Sequence, residues 1–361
     1  MSTPVFHRLE IADVRPETPE AVSVAFVVPA SLREAYRYAP GQYLTLRATL
    51  DGEEVRRSYS ICSGLDDGEL RIVIKRLEGG VFSSWANVAL QAGDAIDVMT
   101  PMGRFGIADA KDLRGAKTYV AFAAGSGITP VLSILKTVLA RAPDSRFFLF
   151  YGNRTSESII FREQLNDLKD RFVARFSVFH MLSREQQDLA SLSGRLEPAR
   201  IKILLPLLVP LVSIDQVFVC GPLAMIDGVE TSLVDLGVAR SVIQIERFTP
   251  APWGPATRPR PTPVVGEMPR AEITAIVGGL RKEFSLYGDD ALIDAAAHAG
   301  IDLPYSCKGG MCCTCRAKVL EGAVEMATNY SLEPWETAAG FVLTCQSRPT
   351  TARVVVDYDQ V

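Results

Sequence analysis

The sequence predicts a multidomain β + α/β + α+β chain, and three changes of character along it carry that class. Between residues 6 and 99, short β-like runs fall at 22–28, 43–48, 57–61, 70–76 and 95–98, with turn residues between them. Runs of that length and spacing predict an antiparallel β-barrel. From Lys117 the rhythm becomes strand, helix, strand. Residues 119–123 lead into 130–140, 147–151 into 160–172, and 174–181 follow; then 216–220 lead into 223–236 and 242–248. Such alternation predicts a parallel sheet covered by helices. The segment 249–270, TPAPWGPATRPRPTPVVGEMPR, is dense in proline and lacks apolar periodicity, so it reads as a semi-extended linker. Beyond it, 271–277 alternates as a strand, 290–299 is a short helix and 354–357 a closing strand, which makes a small α+β unit.

A chain of 361 residues is long enough for two or three cores. With 48% hydrophobic and 22% charged residues it has the composition of a soluble globular protein. The start, MSTPVFHRLEIADV, lacks the basic-then-apolar layout of a signal peptide. No apolar run reaches the roughly 18 residues of a membrane span; the stretch 201–212 is short and broken by Pro206 and Pro210. A cytoplasmic location and no membrane partner are therefore expected. A net charge of -4 leaves no nucleic-acid footprint. The charge is unevenly shared: from Ala271 onward 12 Asp/Glu face 7 Lys/Arg, a balance of −5, and the remainder is 31 minus 30, or +1. The acidic C-terminal unit would suit docking on a basic surface, or its charges simply keep it solvated.

The C-terminal unit carries Cys307, Cys312, Cys315 and Cys345, a C-x4-C-x2-C…C pattern with 29 residues before the last. This is plant-type [2Fe–2S] spacing, in which four thiolates hold two irons. Gly309 and Gly310 let the loop wrap closely and turn N–H groups inward. Zinc sites usually offer two short Cys/His pairs, which a distant Cys345 fits poorly. Disulfides are awkward between such dense neighbours. Cys313 reads as a small packing side chain.

Other motifs fall in the first two units. The first α/β strand ends in Gly125-Ser126-Gly127-Ile128-Thr129-Pro130. Glycines allow a phosphate close to the backbone, a helix N-terminus offers unpaired N–H groups, and Pro130 suits the first helical position. Any strand-to-helix turn favours glycine, so this motif alone is weak. Cys220-Gly221-Pro222 falls at the carboxyl end of a strand, where open α/β sheets bind ligands. In the barrel, Arg57-Ser58-Tyr59-Ser60 joins a cation, hydroxyls and an aromatic ring, the mixture a flavin asks for. Ile74-Lys75 and Gly79-Gly80-Val81-Phe82-Ser83 precede a helix start expected at Ser83.

The order R-x-Y-S, GG-x-x-S, G-S-G-I-T-P, C-G-P resembles the ferredoxin–NADP reductase superfamily over residues 6–248. The fused cluster unit makes the chain similar to single-chain reductase components of multicomponent oxygenases. Within them, the block 75–105 and the tail 355–360 most resemble reductase subunits of phenylacetyl-CoA epoxidases; reductases of Rieske-type oxygenases share most of these blocks. The resemblance implies an FAD-binding β-barrel at 1–112 and an NAD(P)-binding α/β domain at 113–248. After the linker 249–270, it implies a β-grasp ferredoxin-like [2Fe–2S] domain at 271–361. It implies that Arg57 holds the FAD pyrophosphate, that Tyr59 stacks on the isoalloxazine and that Ser60 lies near its N5. The Gly80–Ser83 turn, with Val81 and Phe82, would bind the second phosphate. Gly125, Gly127, Ile128, Thr129 and Pro130 would line the pyridine-nucleotide pyrophosphate, and Cys220, Gly221 and Pro222 would sit against the nicotinamide. Ser58, Ile74 and Lys75 complete the cofactor-binding set. Phe248, preceded by Glu246, would cover the flavin; Ser60, Cys220 and Glu246 are the catalytic candidates. Arg154, Ser183 and Arg184 would grip the 2′-phosphate that marks NADPH over NADH.

The expected activity is electron transfer from NADPH to FAD, to the cluster, and on to a multicomponent oxygenase, by resemblance the di-iron phenylacetyl-CoA epoxidase of aerobic phenylacetate catabolism. Two alternatives stand beside it: the reductase of a Rieske-type aromatic or steroid hydroxylase, and a flavin/iron–sulfur redox sensor without turnover. The intact nucleotide loop and Cys220-Gly221-Pro222 argue against the sensor, which has no need of a hydride donor.

Overall fold

The computed structural model describes residues 5–107, 113–248 and 268–360. Strands β1 (Phe6–Thr18), β2 (Ala21–Val27), β3 (Tyr43–Leu50), β4 (Glu53–Ser60), β5 (Leu70–Lys75) and β6 (Ala95–Met99) form an antiparallel sheet in the order β4-β3-β6-β1-β2-β5. Its edges meet: Ile61 bridges Ile72, and Cys62 N–H donates to Arg71 O at 2.8 Å, closing the expected barrel. Helix α1 (Val81–Ala89) starts two residues before the expected Ser83, with Gly80 as its N-cap. Alternate residues such as Leu9, Ile11, Leu44, Leu46, Ile72 and Ile74 fill the barrel core beneath Phe82 and Ala86 of α1.

The second unit runs β7 (Thr118–Ala124), α2 (Ile128–Arg141), β8 (Arg146–Asn153), α3 (Arg162–Arg171), β9 (Phe176–Leu182), α4 (Pro198–Leu208), β10 (Ile214–Gly221), α5 (Leu223–Asp235) and β11 (Ile243–Arg247). Its sheet is parallel throughout, in the order β11-β10-β7-β8-β9. Being covered on both faces, its strands are continuous apolar runs such as Val120–Phe122, fully buried. Helix α4 departs from the sequence reading, in which Pro206 and Pro210 break this stretch: Pro206 is accommodated inside the helix, Pro210 falls beyond its end, and Pro198 takes its first turn. Barrel and α/β unit share one core, in which Cys62, Val73 and Phe105 pack with residues of β7 and α2. A hydrogen bond also joins the two units, Gly106 N–H donating to Gln244 Oε1 at 2.8 Å.

The third unit contains β12 (Ala271–Val277), β13 (Leu280–Leu286), α6 (Leu292–His298), β14 (Arg316–Glu321), β15 (Val324–Met326), α7 (Pro334–Ala338), β16 (Phe341–Leu343), β17 (Ser347–Pro349) and β18 (Arg353–Asp357). Its main sheet runs β13-β12-β18-β14-β16, with the first and last strands paired in parallel at the centre and α6 packed on the sheet. This is the mixed sheet and helix of a β-grasp. Its core is separate and contains no barrel residue. Most of the expected linker, 249–267, lies outside the described residues; Arg270 already belongs to the third unit, its N–H donating to Leu286 O at 2.8 Å. No helix among the described residues is long and apolar enough to cross a membrane.

Candidate functional site

The four cysteines of the C-x4-C-x2-C…C pattern come together. All seven cysteines of the chain are free thiols, which removes the disulfide reading. Among the described residues no three His, Cys, Asp or Glu side chains are arranged to hold a single metal ion. Instead Cys307 engages Cys312 and Cys315 engages Cys345. Two adjacent thiol pairs fit a two-iron cluster, with two thiolates to each iron, better than one zinc. Backbone N–H groups of Gly309 and Met311 point at Cys307 Sγ at 3.3 and 3.5 Å, and that of Cys307 at Cys312 Sγ at 3.4 Å. Donors aimed at sulfur are what an anionic cluster needs, so the residues fit the group. The tight wrap bends Lys308 and Cys313 into the left-handed region, φ 46° and 54°. Gln346 Nε2 ties the loop by donating to Lys308 O at 2.7 Å, and Lys308 Nζ pairs with Asp294 of α6 at 2.7 Å. Cys313 is engaged elsewhere: its thiol donates to Ser331 Oγ at 3.0 Å, and burial pushes its pKa up to about 11.

On β4, alternation puts Arg57 and Tyr59 on one face and Ser58 and Ser60 on the other. Tyr59 packs beside Phe82, ring centroids 5.8 Å apart, and Phe82 meets Trp85 edge-on. The Arg57 guanidinium is half-buried, and its desolvation lowers its pKa, so an anion there would be stabilising. The turn before α1 requires glycine twice: Gly79 has φ 71°, and a Cβ on Gly80 would sit 2.5 Å from Ser83 Oγ. Ser83 builds that turn, accepting from Leu77 N–H and donating to Gly80 O. The first-turn N–H groups of α1, at exposed Val81, lack helical partners and could meet an anion there. Ile74 is a core residue whose carbonyl accepts from Asn87 Nδ2. Ser58 is not grouped with Arg57 and Tyr59; its hydroxyl meets Ser306 of the cluster unit at 2.7 Å. Ser60 is buried opposite Tyr43 in the β3–β4 register.

The nucleotide elements also converge. Helix α2 begins at Ile128, so Pro130 is its third residue rather than its first, still inside the turn that lacks N–H partners. Thr129 Oγ1 donates to Ser126 O at 2.9 Å and Tyr151 Oη to Gly125 O at 3.0 Å, fixing the loop. Gly127 lies directly on Cys220: a Cβ there would be 2.1 Å from Cys220 O. Gly221 is similarly close to Met225, and Pro222 is the N-cap of α5. Lys75 reaches across from the barrel to within 3.6 Å of a Cβ position on Gly125. Burial lowers its pKa, with Glu20 opposing and Arg154 adding to the shift. Ser183 and Arg184 donate their backbone N–H groups to Asn153 and Arg154 carbonyls, placing Arg154 and Arg184 side by side at the sheet's carboxyl end, both exposed. Glu185 is engaged by Ser156 N–H at 2.7 Å.

Cys220 is fully buried, and burial, reinforced by Glu246, raises its pKa well above the ordinary thiol range. Glu246 sits beside it in the β10–β11 register, and burial raises its carboxyl to about 8. When ionised, it adds to the burial that raises the pKa of Tyr43 and Cys313, so its carboxylate lies within electrostatic reach of the barrel and the cluster loop. Phe248 is half-buried against the shared core.

The sequence reading missed how the cluster unit docks. Arg56, almost fully buried, donates to Asp302 at 2.8 Å and stacks over Tyr305 at 4.1 Å. Arg104 pairs with Glu336 at 2.6 Å, and Arg316 grips the same carboxylate at 2.7 Å. Burial alone would raise the Glu336 pKa, but Arg104, the Glu333 N–H and Arg316 hold it below the ordinary value. Part of the acidic surplus of the cluster unit thus faces basic residues of its own barrel.

Comparisons with known proteins agree with this geometry. Residues 19–107 match the oxidoreductase FAD-binding domain family, 122–231 the oxidoreductase NAD-binding domain and 276–350 the 2Fe-2S iron-sulfur cluster binding domain. A component of the 1,2-phenylacetyl-CoA epoxidase of Escherichia coli K12 is 46% identical over 355 residues, covering 98% of both chains. The ferredoxin reductase component of 3-ketosteroid-9-alpha-monooxygenase from Rhodococcus rhodochrous is 32% identical, covering 97% of this chain and 96% of that one. In fold, phthalate dioxygenase reductase matches at TM-score 0.57 and 22% identity over 98% of both chains.

Proposed function

The chain belongs to the ferredoxin–NADP reductase superfamily, among the oxygenase reductase components with a C-terminal [2Fe–2S] domain, and on that premise we propose that it serves a phenylacetyl-CoA epoxidase. It is an oxidoreductase that uses FAD, a pyridine nucleotide and a [2Fe–2S] cluster. The observation that carries the acceptor is the end-to-end likeness to the Escherichia coli epoxidase component at 46%, against 32% for the ketosteroid reductase component.

A bound flavin takes two electrons as hydride and gives them up singly. The chain's own residues bind and orient. Arg57 and the first turn of α1 would hold the flavin's phosphates, and Tyr59 would offer its ring a flat apolar surface. Gly125, Gly127 and Lys75 receive the nucleotide's pyrophosphate. Cys220 and Glu246, whose carboxyl burial raises to about 8, would close the nicotinamide end with little negative charge there.

The test is turnover with purified oxygenases. The protein with NADPH should sustain epoxidation by the oxygenase subunits of a phenylacetyl-CoA epoxidase and leave a Rieske-type ketosteroid hydroxylase idle. The reverse preference overturns the assignment.

Arg154, Ser183 and Arg184 support NADPH as the donor, because a 2′-phosphate dianion asks for arginine. Arg184→Ala should raise KM for NADPH about tenfold, the loss of one exposed charged contact, and barely move that for NADH. Equal effects on both nucleotides would assign Arg184 to a shared phosphate or to the fold.

A further inference from the structure

The Tyr43 hydroxyl lies buried at the seam between barrel and cluster unit. It donates to the backbone carbonyl of the ligand Cys312 and lies 2.9 Å from Thr314 Oγ1, itself 3.2 Å from Cys312 Sγ. On β3, Tyr43 faces Ser60 of the flavin motif, so one strand pair touches both redox sites. Gly103, at φ 113°, makes room for the ring: a Cβ there would lie 3.1 Å from Tyr43 Cδ1.

An iron-bound thiolate carries no proton, so toward Cys312 Sγ the Thr314 hydroxyl must be the donor. Tyr43 then gives its own proton to Thr314 Oγ1 or to the Cys312 carbonyl. Either way the positive end of an O–H dipole points at this ligand. Hydrogen bonding around cluster sulfurs helps set the reduction potential, and a dipole of this sign favours the added negative charge of the reduced state. Cys312 and Thr314 belong to the cluster unit, whereas Tyr43 belongs to the barrel. The seam between them is joined by polar contacts, Arg56–Asp302, Ser58–Ser306 and Arg104–Glu336, and the two hydrophobic cores remain separate. An interface of that kind is separable.

We propose that Tyr43 is a docking-dependent positioning residue that raises the cluster's reduction potential while the cluster unit rests on the barrel and stops doing so when it moves away. In the docked state one electron passes from the reduced flavin to the oxidised cluster. The flavin loses that electron, the cluster gains it, no bond forms or breaks, and Tyr43 and Thr314 keep their protons. Once undocked, the same electron sits at a lower potential and passes more readily to the external acceptor. The inference rests on the proposed function only for that acceptor.

The experiment is an EPR-monitored redox titration of the full-length holoprotein, which needs neither nucleotide nor oxygenase, so its failure leaves the acceptor assignment standing. Tyr43→Phe keeps the ring and removes the hydroxyl. It should shift the flavin–cluster electron equilibrium about tenfold toward the flavin, a cluster midpoint lower by about 59 mV for a one-electron couple. Asp302→Arg sets a cation against Arg47 and Arg56 and loosens docking without touching Tyr43; it should lower the midpoint in the same direction. The double variant should go no lower than Tyr43→Phe alone, because both act through one contact. Thr314→Val provides the same reading if Tyr43→Phe fails to hold its cluster. An unchanged midpoint in Tyr43→Phe, or in Thr314→Val where that variant stands in, overturns the proposal. So does an unchanged midpoint in Asp302→Arg, or full additivity of the two shifts.

Discussion

Cys345→Ser should purify without a [2Fe–2S] EPR signal, while Cys313→Ser keeps it at full intensity. Cys345 comes from the loop between β16 and β17, and it engages Cys315 as Cys307 engages Cys312. Removing it leaves one iron with a single protein thiolate, and because cluster binding is coupled to folding of the loop, the remaining three ligands should not retain it. The flavin should stay bound, since the barrel core is separate from that of the cluster unit. Cys313 is the control because it sits between two ligands in sequence yet bonds to Ser331. EPR of the dithionite-reduced proteins with iron analysis decides the matter. A lost signal in Cys313→Ser, or an intact one in Cys345→Ser, would mean that the ligand set is wrong.

Arg57→Ala should purify largely free of FAD, with the affinity of added FAD reduced roughly a hundredfold, about 3 kcal/mol for a charged contact to phosphate in a half-buried site. Desolvation already disfavours the guanidinium, so the contact with an anion is made where screening is weak. Flavin content from absorbance after denaturation, and titration of the apoprotein with FAD, give the two numbers. Stoichiometric FAD in the variant would remove Arg57 from the pyrophosphate site, and FMN released from the wild type would change the cofactor.

Much of this architecture is legible without coordinates. The cysteine spacing fixes a two-iron site because three ligands lie within nine residues, where chain connectivity alone keeps them close. The glycine turns at 79–80 and 125–127 announce themselves because left-handed backbone and contacts as short as 2.1 Å admit no side chain. Strand–helix alternation carries the parallel sheet, since buried strands must be continuously apolar. Helix α4 escaped because its prolines resemble linker punctuation, and β1 because its 13 residues are mostly half-buried or exposed and show little apolar alternation.

Spacing and periodicity along the chain were enough for the three units, their order and their cofactors, because each motif is local and its chemistry demands particular side chains. How the cluster unit sits came from packing in three dimensions. It joins Ser58 to Ser306, sets Glu246 beside Cys220 on the neighbouring strand, and brings Tyr43 to the carbonyl of Cys312. These partners lie up to 269 residues apart. A lone tyrosine or serine on a strand has no pattern that names a distant partner. Its role depends on which polar group faces it after burial, and that follows from packing rather than from spacing along the chain.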